Sequence, residues 1–82
     1  MGYHKAIITK GTIGEISKIQ EELDELKDAE DQGVVLMAQI ELSDLYGSIE
    51  AYLEKHYPTI TMDDLKKMSN LTRAAFKSGE RR

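Results

Sequence analysis

Apolar residues recur along most of this chain at intervals of three and four, the spacing of one face of an α-helix. Ile13, Ile16, Ile19, Leu23 and Leu26 form the first stripe. Thr12 followed by Glu15 has the form of a capping box, which predicts a helix over 12–32 that Gly33 terminates after "EDQ". A second helix is predicted over 34–56, with Leu42, Leu45, Ile49 and Leu53 on one side. Pro58 ends it, because the residue before a proline avoids helical geometry. Thr61 and Asp64 repeat the capping pattern, predicting a third helix over 62–78. Its inner side is Leu65, Met68, Thr72 and Phe76, and Gly79 can close it. The opening "YHKAIIT" lies in an arm over 1–11, read as a short strand, an extended segment or a loosely ordered tail.

The pattern predicts an all-α fold in one domain over 1–82. Eighty-two residues without cysteine or tryptophan, and with only four Tyr and one Phe, leave little material for a private core. The expected architecture is therefore a three-helix subunit that completes a four-helix-bundle core by homo-oligomerisation, as a homodimer or homotetramer, with helix three outside. A net charge of −4 argues against nucleic acid as the main partner. The longest apolar run, Val34 to Ala38, is far short of the roughly twenty residues a membrane helix needs. The start "MGYHKA" lacks both a signal-peptide pattern and the sixth-position Ser or Thr favoured for myristoylation, so a cytoplasmic protein is expected.

The acidic residues change this picture. Glu22 and Glu25 lie three apart on helix one, and Glu41 and Asp44 lie three apart on helix two. Each pair falls on one helix face, and a short connection favours antiparallel helices that bring the pairs together. On its own the first pair reads as a solvated face, since helix one is acidic throughout and Lys18 and Lys27 can pair with it. The second pair sits among Met37, Ala38, Leu42 and Leu45, where an uncompensated carboxylate costs several kcal/mol by order of magnitude. A hard divalent cation would compensate four converging carboxylates. With oxygen ligands only and no clustered His, Mg²⁺ is expected, with Mn²⁺ possible.

Helix three adds a basic stripe, Lys66, Asn70, Arg73 and Lys77, at helical spacing. Taken alone it reads as a solvated face. Beside a metal site it suits a polyphosphate, with Lys and Arg on phosphate oxygens and Asn on sugar or base.

The forms "EELDE" and "ELSD" together give E-E-x-x-E followed by E-x-x-D, and "KKMSNLTR" supplies K-x-x-x-N-x-x-R. This resembles the all-α nucleoside triphosphate pyrophosphatase superfamily, which includes MazG-type enzymes, phosphoribosyl-ATP pyrophosphatase and the all-helical dUTPases. The resemblance implies Mg²⁺-dependent cleavage of a nucleoside triphosphate between its α and β phosphates. By position, Glu22, Glu25, Glu41 and Asp44 would hold the metal, and Glu21 and Glu22 would serve the attacking water. Lys66, Asn70, Arg73 and Lys77 would contact substrate. The dUTPase branch continues with Gln and then Gly-Tyr, where this chain has Ala74, Ala75 and Phe76, so the likeness stops short of uracil selection. In its compactness the chain is similar to small phage-encoded MazG-like proteins. The rival expectation is a non-catalytic interaction module, or a nucleotide sensor, on the same scaffold.

Other chemistry is thinly represented. Ser17, Ser43 and Ser48 have no His in sequence reach, and "KGTIG" lacks the spacing of a phosphate loop. His4 and His56 are far apart, and His56 is expected to meet the helix dipole or solvent. Tyr46 and Tyr52 are expected in a core or an interface.

Overall fold

The computed structural model describes residues 4–78, and within them the chain is all-helical. Helix α1 spans Ile16–Gln32, α2 spans Val35–His56 and α3 spans Met62–Lys77. None of these is long and apolar enough to cross a membrane.

The first helix starts four residues later than the Thr12 pattern predicts. Gly14 adopts φ +88°, a left-handed conformation no helix can run through, and Glu15 takes the N-cap position without a side-chain cap bond. Thr12 instead closes a turn. Its carbonyl accepts from Glu15 N–H at 3.0 Å, and its own N–H donates to Ser17 Oγ at 3.0 Å. The Glu15 side chain turns away to Lys55 and His56 at the far end of α2. Those contacts make α1 and α2 antiparallel. A Cβ on Gly14 would come within 2.9 Å of Lys55 Cδ, a contact the flexible lysine could relieve, so it is the positive φ that favours glycine here.

The other boundaries follow the sequence. Gly33, at φ +74°, donates to Glu30 O, and Val34 N–H donates to Ala29 O, a Schellman ending that reverses the chain in two residues. Tyr57 N–H donates to Leu53 O as α2 stops ahead of Pro58. Both bonds of the Thr61–Asp64 capping box form, at 3.1 and 2.9 Å. The Thr61 N–H holds the Asp64 carboxyl below its ordinary range. Gly79, the expected stop of α3, lies outside the described residues; the helix ends at Lys77 with Ser78 as its cap.

Packing departs more from expectation. Only Ala29, Met37 and Leu53 are buried apolar residues among those described. Burying a Met or Leu side chain contributes roughly 1.5–3 kcal/mol, so this core is thin. The predicted stripe of α1 is only partly covered, with Ile19 and Leu26 half-buried but Ile13, Ile16 and Leu23 exposed; on α2 Leu53 is buried and Leu45 and Ile49 are half-buried, while Leu42 is exposed, as are Val35, Leu36 and Ile40. Helix α3 has no buried residue, and Met68 and Phe76 of its expected inner side are exposed. Its N-terminal half faces α2 across a groove lined by Tyr46, Ile49, Met62, Leu65 and Lys66. The Cα radius of gyration is 15.2 Å, where a compact chain of this length would have about 12 Å. The N-terminal arm forms no strand within residues 4–11 and instead lies against α1.

Because α3 has so little burial behind it, its first turn depends on its cap. Thr61→Ala is expected to lower the local stability of α3 by about 1 kcal/mol, read as faster amide hydrogen exchange at residues 64–67. Exchange within α1 should not change.

Candidate metal centre

The best-buried face of the α1–α2 hairpin is acidic. Glu21, Glu22 and Asp28 on α1 and Glu41 on α2 are all buried, and Glu41 is fully so. The expectation that Glu22 and Glu25 form a solvated face therefore fails: antiparallel packing turns that face inward. Asp44 is the converse case, since it is exposed rather than sunk among apolar neighbours.

Glu22, Glu25, Glu41 and Asp44 each offer an oxygen within 4.8 Å of the others. All four metal-ligand candidates from the sequence thus converge. The cluster is graded, closed at Glu41 and open to solvent at Asp44. Two unit charges at 4.8 Å repel by roughly 3 kcal/mol at an effective dielectric near 20. That repulsion adds to burial in raising the pKa of two of the acids. Glu25 is pushed up to about 7, first by burial and then by the neighbouring Glu22 charge. Asp44 is raised by burial and by the charges of Glu22 and Glu41.

Two internal basic side chains also answer it. Lys18 reaches Glu21 and Glu22, at 3.2 Å to each, and its own pKa rises because those bonds outweigh the opposing effect of burial. His4 comes from the arm. Its Nδ1 is 2.9 Å from Asp28 Oδ2, and its Nε2 is 3.0 Å from Glu41 Oε2 and 3.6 Å from Glu25 Oε1. Burial opposes the imidazolium, yet the hydrogen bonds to Asp28 and Glu41 prevail and raise its pKa. The same His4 bond, helped by N–H donors from Lys5 and Ala6 and by Gln32, holds Asp28 down at about 2.

Glu22 retains one polar demand that the described residues do not meet. Its Oε2 pairs with Lys18, but Oε1 is buried with no hydrogen-bond partner. A carboxylate oxygen in that condition, beside three more carboxylates, fits a hard divalent cation such as Mg²⁺ or Mn²⁺.

The other sequence candidates are placed differently. Glu21 lies outside the four-carboxylate group and is already engaged, accepting from Gly11 N–H at 2.7 Å and from Lys18. The Gly11 bond is the main reason its pKa is lowered. Glu21 thus anchors the arm. Lys66, Asn70, Arg73 and Lys77 are all exposed on α3, and no ion pair among the described residues joins them to the carboxylates. His56 does not idle at the helix end; its Nε2 meets Gly14 O at 3.0 Å and its ring packs on Tyr52 at 4.4 Å. A groove of about 590 Å³ between Leu23, Leu26, Ala38 and Leu42 contains none of the four acids and follows the exposed apolar face.

Sequence reasoning missed His4 and Asp28. Asp28 extends the spacing of Glu22 and Glu25 by another three residues, a signal available in the chain. His4 had none, because its position depends on the path of the arm. Compared with protein-family models, curated proteins and solved structures, the chain finds no match.

The raised Glu25 pKa has a definite pH signature. A carboxyl whose folded pKa lies above its unfolded value lends stability at low pH and loses it as pH rises through the folded value. For Glu25 that window runs from about 4.5 to about 7. Glu25→Gln should therefore leave Tm near the parent value below about pH 4.5, raise it increasingly as pH rises to about 7, and give no further gain above that. Mn²⁺ should stabilise the parent more than the variant.

Proposed function

We propose that this protein is a MazG-like, Mg²⁺-dependent nucleoside triphosphate pyrophosphohydrolase, with Mn²⁺ able to serve, that converts an NTP or dNTP to the monophosphate and pyrophosphate. The supporting observation is the convergence of Glu22, Glu25, Glu41 and Asp44 within 4.8 Å, with a buried Glu22 oxygen lacking a partner. Those four residues would hold the metal, which when bound supplies charge neutralisation for the phosphates and acidifies water. Glu22 Oε1, which no hydrogen bond among the described residues occupies, is the oxygen proposed for the cation, and a neighbouring carboxylate of the cluster would take the proton from the attacking water. Glu21 supports this by fixing Lys18, which steers the other Glu22 oxygen. The exposed side of the cluster at Asp44 gives substrate its approach. Lys66, Asn70, Arg73 and Lys77 form the proposed phosphate and nucleoside contacts.

Two copies are proposed to pair through Leu23 of α1 and Val35, Leu36, Ile40 and Leu42 of α2, as a homodimer or a homotetramer. The exposed apolar stripes and the thin internal core support this. The separation of the basic row from the carboxylates within one chain favours a second reading, in which the scaffold binds a nucleotide or a protein without turnover.

Two measurements decide these points. Pyrophosphate release from the common NTPs and dNTPs should require Mg²⁺ or Mn²⁺ and fall about a hundredfold or more in Glu41→Gln. No release from any of them would favour the second reading. By light scattering after size exclusion, the parent should run as a dimer or tetramer and Leu42→Glu as a monomer; a monomeric parent would remove the proposed pairing.

A further inference from the structure

We propose that His4 is a nitrogen ligand of this metal centre and that Asp28 positions it, so that the site prefers a transition ion such as Mn²⁺ or Co²⁺ to Mg²⁺. The inference rests on the metal-centre reading above, keeps its carboxylates and reverses its order of metals, placing a transition ion ahead of Mg²⁺.

The arm that carries His4 is fastened at both ends by buried acids of α1. Lys5 and Ala6 donate their backbone N–H groups to Asp28, at 3.1 and 3.2 Å. Gly11 donates to Glu21 at 2.7 Å. A loosely ordered tail would not be held by three main-chain bonds to two buried carboxylates, so the ring, one residue ahead of the first anchor, is delivered to a fixed place. Its side chain is only 10% exposed. The close fit continues at Gly11, where a Cβ would fall 2.2 Å from Ser17 O.

At that place the imidazole has the arrangement protein metal sites use for histidine. One ring nitrogen, Nδ1, donates to a carboxylate, Asp28, which selects the tautomer and fixes the ring plane. The other, Nε2, faces Glu41 Oε2 at 3.0 Å and Glu25 Oε1 at 3.6 Å, acids from two different helices. Donors bound side by side to an octahedral divalent ion lie about 3 Å apart. The same spacing serves a hydrogen bond when Nε2 carries a proton and a shared cation when that proton leaves to solvent. His4, Glu25 and Glu41 form a ligand group by themselves, within 4.8 Å, and share two members with the four-carboxylate group. The buried Glu22 oxygen without a partner is the independent sign that this pocket is built for a cation beyond Lys18 and His4. An imidazole among carboxylates favours borderline first-row ions, whereas Mg²⁺ gains little from nitrogen and keeps its oxygen ligands.

Pulsed EPR of the full chain loaded with Mn²⁺ reads this directly. We expect ¹⁴N coupling from a coordinated imidazole in the parent and its loss in His4→Ala. Mn²⁺ affinity should fall about tenfold or more in that variant, with Mg²⁺ affinity changing less than about threefold. Asp28→Asn should keep the ¹⁴N coupling but weaken Mn²⁺ binding by about tenfold. Bound Mn²⁺ without ¹⁴N coupling in the parent would overturn the ligand role and leave the carboxylate centre standing. So would tighter Mn²⁺ binding in His4→Ala, which would make the imidazole a plug. A parent that binds no Mn²⁺ at all would overturn both the ligand and the centre beneath it.

Discussion

Mutual repulsion among carboxylates at the α1–α2 contact is the constraint that organises this molecule. A hairpin interface is ordinarily the place for leucine, yet here the fully buried side chain of greatest volume is Glu41. Taking such a group from water is tolerable only where protons, cations or donors answer it. The chain uses all three, with Glu25 holding its proton up to about pH 7, Lys18 and the His4 ring paired with the acids, and main-chain N–H groups directed at Glu21 and Asp28. The N-terminal arm has its position because of this demand. It contributes little apolar burial, Ile7 being fully exposed, and is held by the charges it compensates.

That solution has a consequence for the rest of the fold. With much of the inner face of the hairpin given to acids, a large part of the apolar surface is left exposed, and α3 meets α2 across an open groove rather than on a core. The elongated shape follows from the same allocation. The proposed self-association would supply the apolar burial that one chain lacks. It would also give the basic row of α3 an opportunity to meet a carboxylate cluster, which it does not reach within its own subunit.

A catalytic reading and a stability reading make opposite demands on these residues, and that contrast is informative. Neutral replacements within a repelling cluster should relieve strain, whereas a site kept for a cation retains its acids despite their cost. The graded burial, from Glu41 at the closed end to Asp44 at the open one, is what an exchangeable ion and an approaching anionic ligand require. A cluster sealed on every side would offer neither access nor release.

Local chemistry was legible in the chain wherever one residue's conformation decides the outcome. Gly33 and Pro58 end helices, and the Thr61–Asp64 box starts one, because capping and left-handed geometry depend on neighbours in sequence. The convergence of four acids was legible too, since helix periodicity and a short connection leave antiparallel packing little choice. The start of α1 was not, because Glu15 prefers Lys55 and His56, forty residues on, to the local cap. Nor was the orientation of the stripes, since an amphipathic helix with one apolar and one acidic face does not state which of them its own chain will cover. Sequence by itself determined three helices and two carboxylate pairs in register. Only the tertiary structure decided that the acidic face turns inward and that His4 reaches it, because both depend on energies summed between segments distant along the chain.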